Sequence, residues 1–536
     1  MNFKKLVVTG VTMLVGCAAL TFVDGSTQSV SADKVLNWSE DSELQTLDPA
    51  TSVDTTSGLM LRNSYEGLYR LGKDGQVKKG LVKTEKVSDD GLTYTFTLQK
   101  NAKWSNGDPV TAKDFVYGWQ RAVDPKTGAS NSNLFEGVKN AADIVAGKMD
   151  PKELGVKATD DHTLVVTLDK KIPYFKSLVA TQIFSPQNKK IVEKYGKKYG
   201  TEAKYSVSNG PFKVAGWNGS NQKWSLVKNN NYWDKKAVKL DKVNFQVAKT
   251  TSTSYSMYQQ GDLDETMLST EQARQLKGKN DFVARKQARV DYLELNKQSK
   301  AFANANIRKA VSYALNRDQL ANKVLGDGTT PTKSFVSKGL MEYKGKDFNE
   351  ASATDKGTTY NKKLAQQYWQ KGLKELGVKS LTFTVLGDDD DLAKKVNEYI
   401  QSQLQTNLKG AHVKVQNINK KSRIDRMKQG KFDLVQTGWT ADYQDATSFL
   451  NLFTKDSAYN FGKYNSQEYD KLMQDAKSQD GDARWNTLVK ANKVLLEDQA
   501  VVPLYQPVTA TMQNPDVKGL VYNTISEYNF KEAYLN

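Results

Sequence analysis

Few residues in this chain have side chains suited to catalysis. The 536 residues include only two histidines, His162 and His412, and a single cysteine, Cys17. His162 follows a turn and opens a strand-like stretch, and His412 precedes an alternating stretch. Both are therefore predicted to lie at the surface or at strand edges rather than in a catalytic site. One cysteine allows neither an internal disulfide nor a cysteine-based metal site. The sequence predicts a protein with no enzymatic activity, metal site or cofactor.

Motifs of the common hydrolases and nucleotide-binding proteins are missing from the sequence. No H-E-x-x-H or G-x-S-x-G pattern occurs, and no Gly-Lys pair is followed by Ser or Thr as a P-loop requires. The aspartates at 388–391 lack the spacing of an EF-hand calcium loop. Because they stand just before a helical pattern, we predict that they cap that helix rather than bind a metal.

One acidic residue has neighbours that suit the binding of a cation. Asp442 stands in the stretch Trp439-Thr440-Ala441-Asp442-Tyr443, between aromatic side chains. A carboxylate in such a setting can hold an ammonium group through charge-assisted hydrogen bonds. The alternative is an aspartate that caps a helix or forms a turn, and the residues alone leave both interpretations open.

The N-terminal stretch, 1–32, is typical of an export signal, because positive charge is followed by an apolar run. Two cleavage sites compete. Leu14-Val15-Gly16-Cys17 resembles a lipobox, in which Cys17 would be lipidated and would begin the mature chain. Val30-Ser31-Ala32 is a small-residue site that would release a secreted protein. Both sites predict export, and beyond the leader no apolar run approaches the roughly 20 residues that span a bilayer.

Strand-like and helix-like patterns alternate through the rest of the chain and predict an α/β protein. Alternating apolar and polar residues predict strands at 92–98, 162–168 and 381–386. Apolar residues at helical spacing predict helices over 306–316 and 392–404, and Ser466 is a candidate N-cap of another helix.

The formal net charge is +17 at pH 7. The basic residues are spread along the chain, with no long block and no dense arginine cluster, so the sequence does not predict a nucleic-acid partner. A positive surface can also hold anionic polymers. A second function is therefore left open, that of a cell-surface adhesion or scaffold protein that binds anionic cell-wall polymers.

Several motifs, in a fixed order, resemble those of one protein family. The most specific runs over 103–116 and contains an Asn106-Gly107 turn signal. The others, in chain order, are Leu47-Asp48-Pro49, Ser64-Tyr65-Glu66-Gly67-Leu68, Asn209-Gly210-Pro211-Phe212, Gly261-Asp262-Leu263-Asp264, Arg308-Lys309-Ala310-Val311 and Gly438-Trp439-Thr440-Ala441-Asp442-Tyr443. Together they resemble the bacterial extracellular solute-binding family that serves peptide and nickel ABC transporters, above all its oligopeptide-binding proteins.

The resemblance implies a two-lobed α/β clam fold of the periplasmic-binding-protein type, with an additional subdomain and a ligand cleft between the lobes. The implied boundaries are 33–65, 205–293 and 506–536 for lobe one, 66–204 for the additional subdomain, and 294–505 for lobe two.

The resemblance also implies which residues contact the ligand. Asp442 matches the aspartate that binds the α-ammonium group of a peptide. The residues that match the other ligand-contacting positions of the family are Gly438, Trp439, Thr440, Tyr443, Val53, Asp54, Thr55 and Asn131. The chain departs from the family pattern at some of them: Val53 replaces a glutamate, Asn131 a tyrosine and Gln436 a common arginine, which leaves peptide length and carboxy-terminal recognition undetermined.

The implied function is an extracellular receptor, acting as a monomer, that captures oligopeptides and delivers them to a membrane-embedded ABC permease. It would be lipid-anchored through Cys17 at the outer face of the cell membrane, or secreted. Nickel is disfavoured as a ligand because the chain has only two histidines.

Overall fold

The computed structural model describes residues 34–52, 54–73, 76–525 and 527–536. Helices and strands alternate in these residues, as the predicted α/β class requires. None of their helices combines the length and the apolar character needed to cross a membrane. The leader at 1–32, with Cys17, and the predicted site residue Val53 lie outside the described residues.

The strands, in chain order, are β1 (Val35–Glu40), β2 (Tyr69–Leu71), β3 (Val77–Lys79), β4 (Val82–Val87), β5 (Thr93–Leu98), β6 (Val156–Asp160), β7 (Thr163–Thr167), β8 (Phe212–Ala215), β9 (Lys223–Lys228), β10 (Lys242–Val247), β11 (Glu265–Met267), β12 (Phe282–Lys286), β13 (Arg289–Leu295), β14 (Thr330–Pro331), β15 (Glu342–Tyr343), β16 (Lys346–Asp347), β17 (Leu381–Asp388), β18 (Ala411–Ile418), β19 (Leu434–Thr440), β20 (Val501–Gln506), β21 (Val508–Gln513), β22 (Val517–Lys518), β23 (Val521–Asn523), β24 (Glu527–Asn529) and β25 (Tyr534–Leu535).

The α-helices, in chain order, are α1 (Thr55–Ser64), α2 (Ala112–Val123), α3 (Ala141–Val145), α4 (Phe175–Leu178), α5 (Lys189–Tyr195), α6 (Thr251–Gln259), α7 (Thr270–Leu276), α8 (Lys300–Ala303), α9 (Ala305–Ala314), α10 (Arg317–Gln319), α11 (Phe348–Ser352), α12 (Lys362–Leu376), α13 (Asp391–Asn407), α14 (Lys420–Lys428), α15 (Thr447–Leu450), α16 (Gln467–Ser478) and α17 (Gly481–Glu497).

The first sheet joins segments that lie far apart in the sequence. Its strand order is β1-β10-β9-β8, and β1 runs parallel to β10 with Trp38 opposite Phe245. Both side chains are buried, in a core that also contains Phe530 from near the C-terminus. The core beside this sheet therefore contains residues from near both ends of the described chain.

A second sheet and its helices form the core of the stretch between β1 and β8. The strand order is β4-β5-β7-β6, and Trp104, Phe115 and Trp119 are fully buried beside it. Asn106 and Gly107 form a turn ahead of α2, where Gly107 has a φ of 94°. The motif at 103–116 thus contains the turn that its Asn106-Gly107 signal predicts and contributes Trp104 and Phe115 to this core.

The largest sheet carries the stretch that ends at Asp442. Its strand order is β14-β20-β13-β19-β17-β18, with β13 antiparallel to β19 and β17 parallel to β18. Helices α9, α12 and α13 bury apolar side chains against it, among them Ile307, Trp369 and Ile400. β19 therefore lies inside a rigid, well-packed sheet, which fixes the direction in which the chain leaves it.

The predicted secondary structure is confirmed apart from small shifts at the ends. Strands β5, β7 and β17 and helices α9 and α13 occupy the predicted stretches. Ser466 caps α16, because its Oγ accepts the Tyr469 N–H at 3.3 Å. Asp390 caps α13 by accepting the Ala393 N–H at 2.9 Å, and no group of residues suited to holding a metal occurs in the described chain. The predicted boundaries of the lobes and the subdomain remain predictions.

Candidate functional site

Most of β19 has one edge with no partner strand in the described chain. On one side β19 pairs with β13 along its whole length, up to Thr440 opposite Arg289. On the other side it pairs with β17 only at Leu434 and Val435. From Gln436 to Thr440, no strand of the described chain covers that second edge. An uncovered edge of this kind can accept an extended peptide as an added strand.

Asp442 follows β19 in a loop that is held by backbone hydrogen bonds. We call residues 441–446, between β19 and α15, the Asp442 loop. The Ala441 N–H donates to the Ala288 carbonyl at 2.8 Å, which continues the pairing with β13 by one step. The Asp442 N–H donates to Oγ of the buried Ser448 at 2.8 Å. The backbone of Asp442 is thus fixed while its side chain is left exposed.

The Asp442 carboxylate is an acceptor that lacks a donor. Its oxygens make no hydrogen bond or ion pair with the part of the chain that the structure describes, so it does not cap a helix there. Although the residue is exposed, the surrounding protein desolvates its carboxylate and raises its pKa above the usual range, with no neighbouring cation to oppose the shift. A positively charged ligand would restore the missing partner.

Aromatic rings flank this carboxylate on both sides in sequence. Tyr443 stacks on Tyr174, a residue of the predicted additional subdomain, with ring centroids 4.4 Å apart and planes tilted by 10°. Trp439 is half-buried and meets Tyr459 edge-on at 4.9 Å. The stack with Tyr174 therefore packs one residue of the Asp442 loop against the predicted additional subdomain.

A buried ion pair supports the same loop from inside. Arg484 on α17 donates from Nη1 and Nη2 to the two carboxylate oxygens of Asp445, both at 2.8 Å. Oδ1 of Asp445 also accepts from the N–H and the hydroxyl of Thr447, at 2.9 and 2.6 Å. Burial alone would lower the pKa of Arg484, but the ion pair with Asp445 outweighs it and raises that pKa. The loop is thus anchored to α17.

The predicted site residues Asp54 and Thr55, which belong to lobe one in the predicted boundaries, lie at the start of a helix rather than in a loop like that of Asp442. Asp54 caps α1, since its Oδ1 accepts the Ser57 N–H at 2.8 Å, and Thr55 is the exposed first residue of that helix. Beside them lies Glu40, whose Oε2 accepts the Thr56 hydroxyl at 3.1 Å. Burial raises the pKa of Glu40 to about 7. Glu40, which the sequence did not single out, is thus a second unusual carboxylate of the site region.

The remaining predicted residues are placed as follows. Thr440 is exposed, and Gly438 is half-buried with the Arg289 guanidinium lying against it. Gln436 is buried and donates to Asp291 at 3.4 Å. Asn131 lies half-buried just before a 3-10 turn, and no hydrogen bond between described residues joins its side chain to Asp442 or Gly438.

The family described as bacterial extracellular solute-binding proteins, family 5, matches residues 76–461. This chain belongs to that family. It is 35% identical to the dipeptide-binding protein of Lactococcus lactis subsp. cremoris (strain MG1363), over 99% of this chain and 100% of the relative. It therefore has the two-lobed α/β fold with an additional subdomain and an interlobe cleft.

Solved structures of relatives resemble this chain over most of its length. Listeria monocytogenes OppA bound to peptide is 40% identical and covers 94% of this chain and 100% of its own, with a TM-score of 0.69. The unliganded open form of the murein tripeptide binding protein MppA is only 30% identical, covers 94% of this chain and 98% of its own, yet reaches a TM-score of 0.85. The more distant relative, solved in its unliganded open form, thus gives the higher TM-score with this chain.

Proposed function

We propose that this protein captures peptides in the cleft between its lobes and delivers them to an ABC permease in the membrane. The observation that carries the proposal is the unpartnered Asp442 carboxylate, which stands just past the uncovered edge of β19. Membership of the solute-binding family supports it. The named relatives are peptide-binding proteins, which gives no support to the alternative of an adhesion protein.

The two features recognise what all peptides have in common. The edge from Gln436 to Thr440 offers backbone groups to an extended main chain of any sequence. Asp442 offers a carboxylate to the α-ammonium group, which could not be enclosed without a charge partner. Val53, Asp54 and Thr55, from the other lobe, would complete the enclosure when the lobes close. This arrangement binds the backbone and the amino terminus of a peptide and selects little among its side chains.

Peptide capture can be tested with ligands that differ only at the amino terminus. Calorimetric titration with a tetra- to octapeptide mixture should give binding, and the same mixture after N-acetylation should bind at least about tenfold more weakly, because acetylation removes the ammonium charge. No heat with either mixture would overturn the proposed function, and equal affinity for both would overturn the role given to Asp442.

The leader supports export as part of the same proposal. The positive and apolar stretch at 1–32 directs the chain out of the cell, and the lipobox ending at Cys17 anchors it beside the permease. A monomer is sufficient for the proposed function, since the site residues that have been named all belong to one chain. Binding of anionic cell-wall polymers through the net charge of +17 would be an additional property, not a competing one.

The anchor can be tested by removing the one thiol. Cys17→Ser should shift the protein from the membrane fraction of expressing cells to the medium, because the cysteine carries the lipid. Mass spectrometry of the mature N-terminus should show a lipidated Cys17 in the unaltered chain. A mature chain that begins at Asp33, released equally with and without the substitution, would instead establish cleavage after Ala32.

A further inference from the structure

A second charged group lies on the same stretch of sheet as Asp442. Arg289 on β13 donates from Nε and Nη2 to the two oxygens of Asp291, at 2.8 and 2.9 Å. The Asp291 side chain is 8% exposed, whereas the Arg289 side chain is 33% exposed. Asp291 is therefore buried and holds the guanidinium, and Arg289 is the part of the pair that solvent reaches.

The guanidinium extends across β19 rather than staying over its own strand. Asp291 stands opposite Gly438 in the β13–β19 register. A Cβ atom built on Gly438 would overlap the Arg289 guanidinium, so only a glycine leaves room for it. Neighbouring strands lie about 4.8 Å apart, so a group that lies over β19 comes within one strand spacing of a peptide added at the uncovered edge.

Arg289 still has donors to offer a ligand. A guanidinium carries five N–H groups. The side-on contact with Asp291 engages Nε and one hydrogen of Nη2, while Nη1 makes no hydrogen bond with any described residue. The end formed by Nη1 and Nη2 matches the two oxygens of a carboxylate. Gln436, which stands two residues before Gly438, carries no positive charge.

The spacing between the two charges corresponds to a short peptide. Gly438 and Asp442 are separated along the chain by a distance of about 13 Å, at about 3.3 Å per extended residue. A peptide that places its ammonium group at Asp442 and pairs with the edge of β19 therefore brings its third or fourth residue beside Arg289.

We propose that Arg289, held by Asp291 over Gly438, binds the terminal carboxylate of tri- and tetrapeptides, or an acidic side chain at the third or fourth residue of a longer peptide. This inference rests on the proposed function, because it requires a peptide along β19. Arg289 would then replace, from a neighbouring strand, the charge that Gln436 lacks, and would set a preference for peptide length and sequence.

The test compares alanine peptides of three to six residues with free and amidated carboxy termini. In the unaltered protein, amidation should weaken binding of the tetrapeptide about tenfold or more and leave that of the hexapeptide nearly unchanged. Arg289→Gln should abolish the effect of amidation. Because this variant leaves the buried Asp291 without the counter-charge of Arg289, the double variant Arg289→Gln/Asp291→Asn, which removes both charges, serves as the second measurement.

Arg426→Gln is the matched control, since Arg426 on the same lobe binds Gln416 at 2.6 Å rather than an acid of this face. Amidation should weaken tetrapeptide binding in this control as it does in the unaltered protein. Equal effects of amidation with and without Arg289, or equal effects at every length, would overturn the inference while peptide capture stands. Absence of binding by all the peptides would instead remove the proposed function, and the inference with it.

Discussion

Asp442→Asn is expected to weaken the binding of peptides with a free amino terminus by about ten- to a hundredfold. The amide keeps the size of the side chain but removes the charge that pairs with the ammonium group, and a charge-assisted hydrogen bond contributes about 1.5–3 kcal/mol. N-acetylated peptides should bind the variant and the unaltered protein with similar affinity. Calorimetric titration gives the affinity of each protein, unaltered or Asp442→Asn, for each peptide, free or N-acetylated. The effect of acetylation in the unaltered protein minus its effect in the variant is the free energy of the contact between the two charges.

Asp456→Asn provides the control for this substitution. Asp456 is exposed, on the same lobe, and loses the same charge, but it lies outside the Asp442 loop. Its replacement should leave affinity unchanged. If the two substitutions weaken binding equally, the effect comes from the overall electrostatic field of the protein, and the prediction of a direct contact between Asp442 and the ammonium group is wrong.

The same substitution should not destabilise the protein without ligand. Desolvation by the surrounding protein raises the pKa of Asp442, and a carboxyl whose pKa rises on folding favours the folded state at low pH and loses that contribution as pH increases through the folded-state pKa. At neutral pH the charge on Asp442 therefore lowers the free energy of unfolding, and Asp442→Asn removes that charge. Affinity for peptides should conversely fall on acidification, beginning at a higher pH than an ordinary aspartate would give.

Local patterns were sufficient to predict much of the fold. The period of the apolar residues gave β5, α9 and α13, because each buries one face against a sheet. Asp390 and Ser466 were recognisable as caps because a cap is set by a few neighbouring residues. Asp54 could have been identified in the same way, since it directly precedes α1, but the family comparison directed attention to the ligand instead.

The parts of the site that the sequence did not reveal depend on distant pairing. Arg289 reaches Gly438 only because of the register between β13 and β19, and nothing near either residue in sequence specifies that register. Glu40 has a raised pKa because separate segments bury it. The residues around Asp442 are contiguous, so the sequence alone could single out Asp442 as a candidate site residue, whereas it did not single out Arg289.

The second large effect concerns stability and should follow from Asp445→Ala. Asp445 and Arg484 are both buried, and removing the carboxylate leaves the Arg484 guanidinium without a counter-charge as well as Thr447 without its acceptor. Breaking a buried ion pair in this way costs about 3–5 kcal/mol. Unfolding in urea, followed by circular dichroism, should therefore show a clear loss of stability, and peptide affinity should fall with it because the Asp442 loop loses its anchor on α17.

Two further variants separate loss of the pair from loss of charge in general. Asp475→Ala breaks the exposed pair with Lys471, whose closest atoms are 3.0 Å apart, and should cost less than about 1 kcal/mol because water and salt screen it. The double variant Asp445→Leu/Arg484→Met removes both buried charges and should recover much of the stability that Asp445→Ala loses. If stability returns in the double variant but peptide affinity does not, the polar anchor is required to hold the Asp442 loop in its binding conformation. If both return, apolar packing under the loop is enough, and the role of the ion pair is confined to compensating its own buried charges.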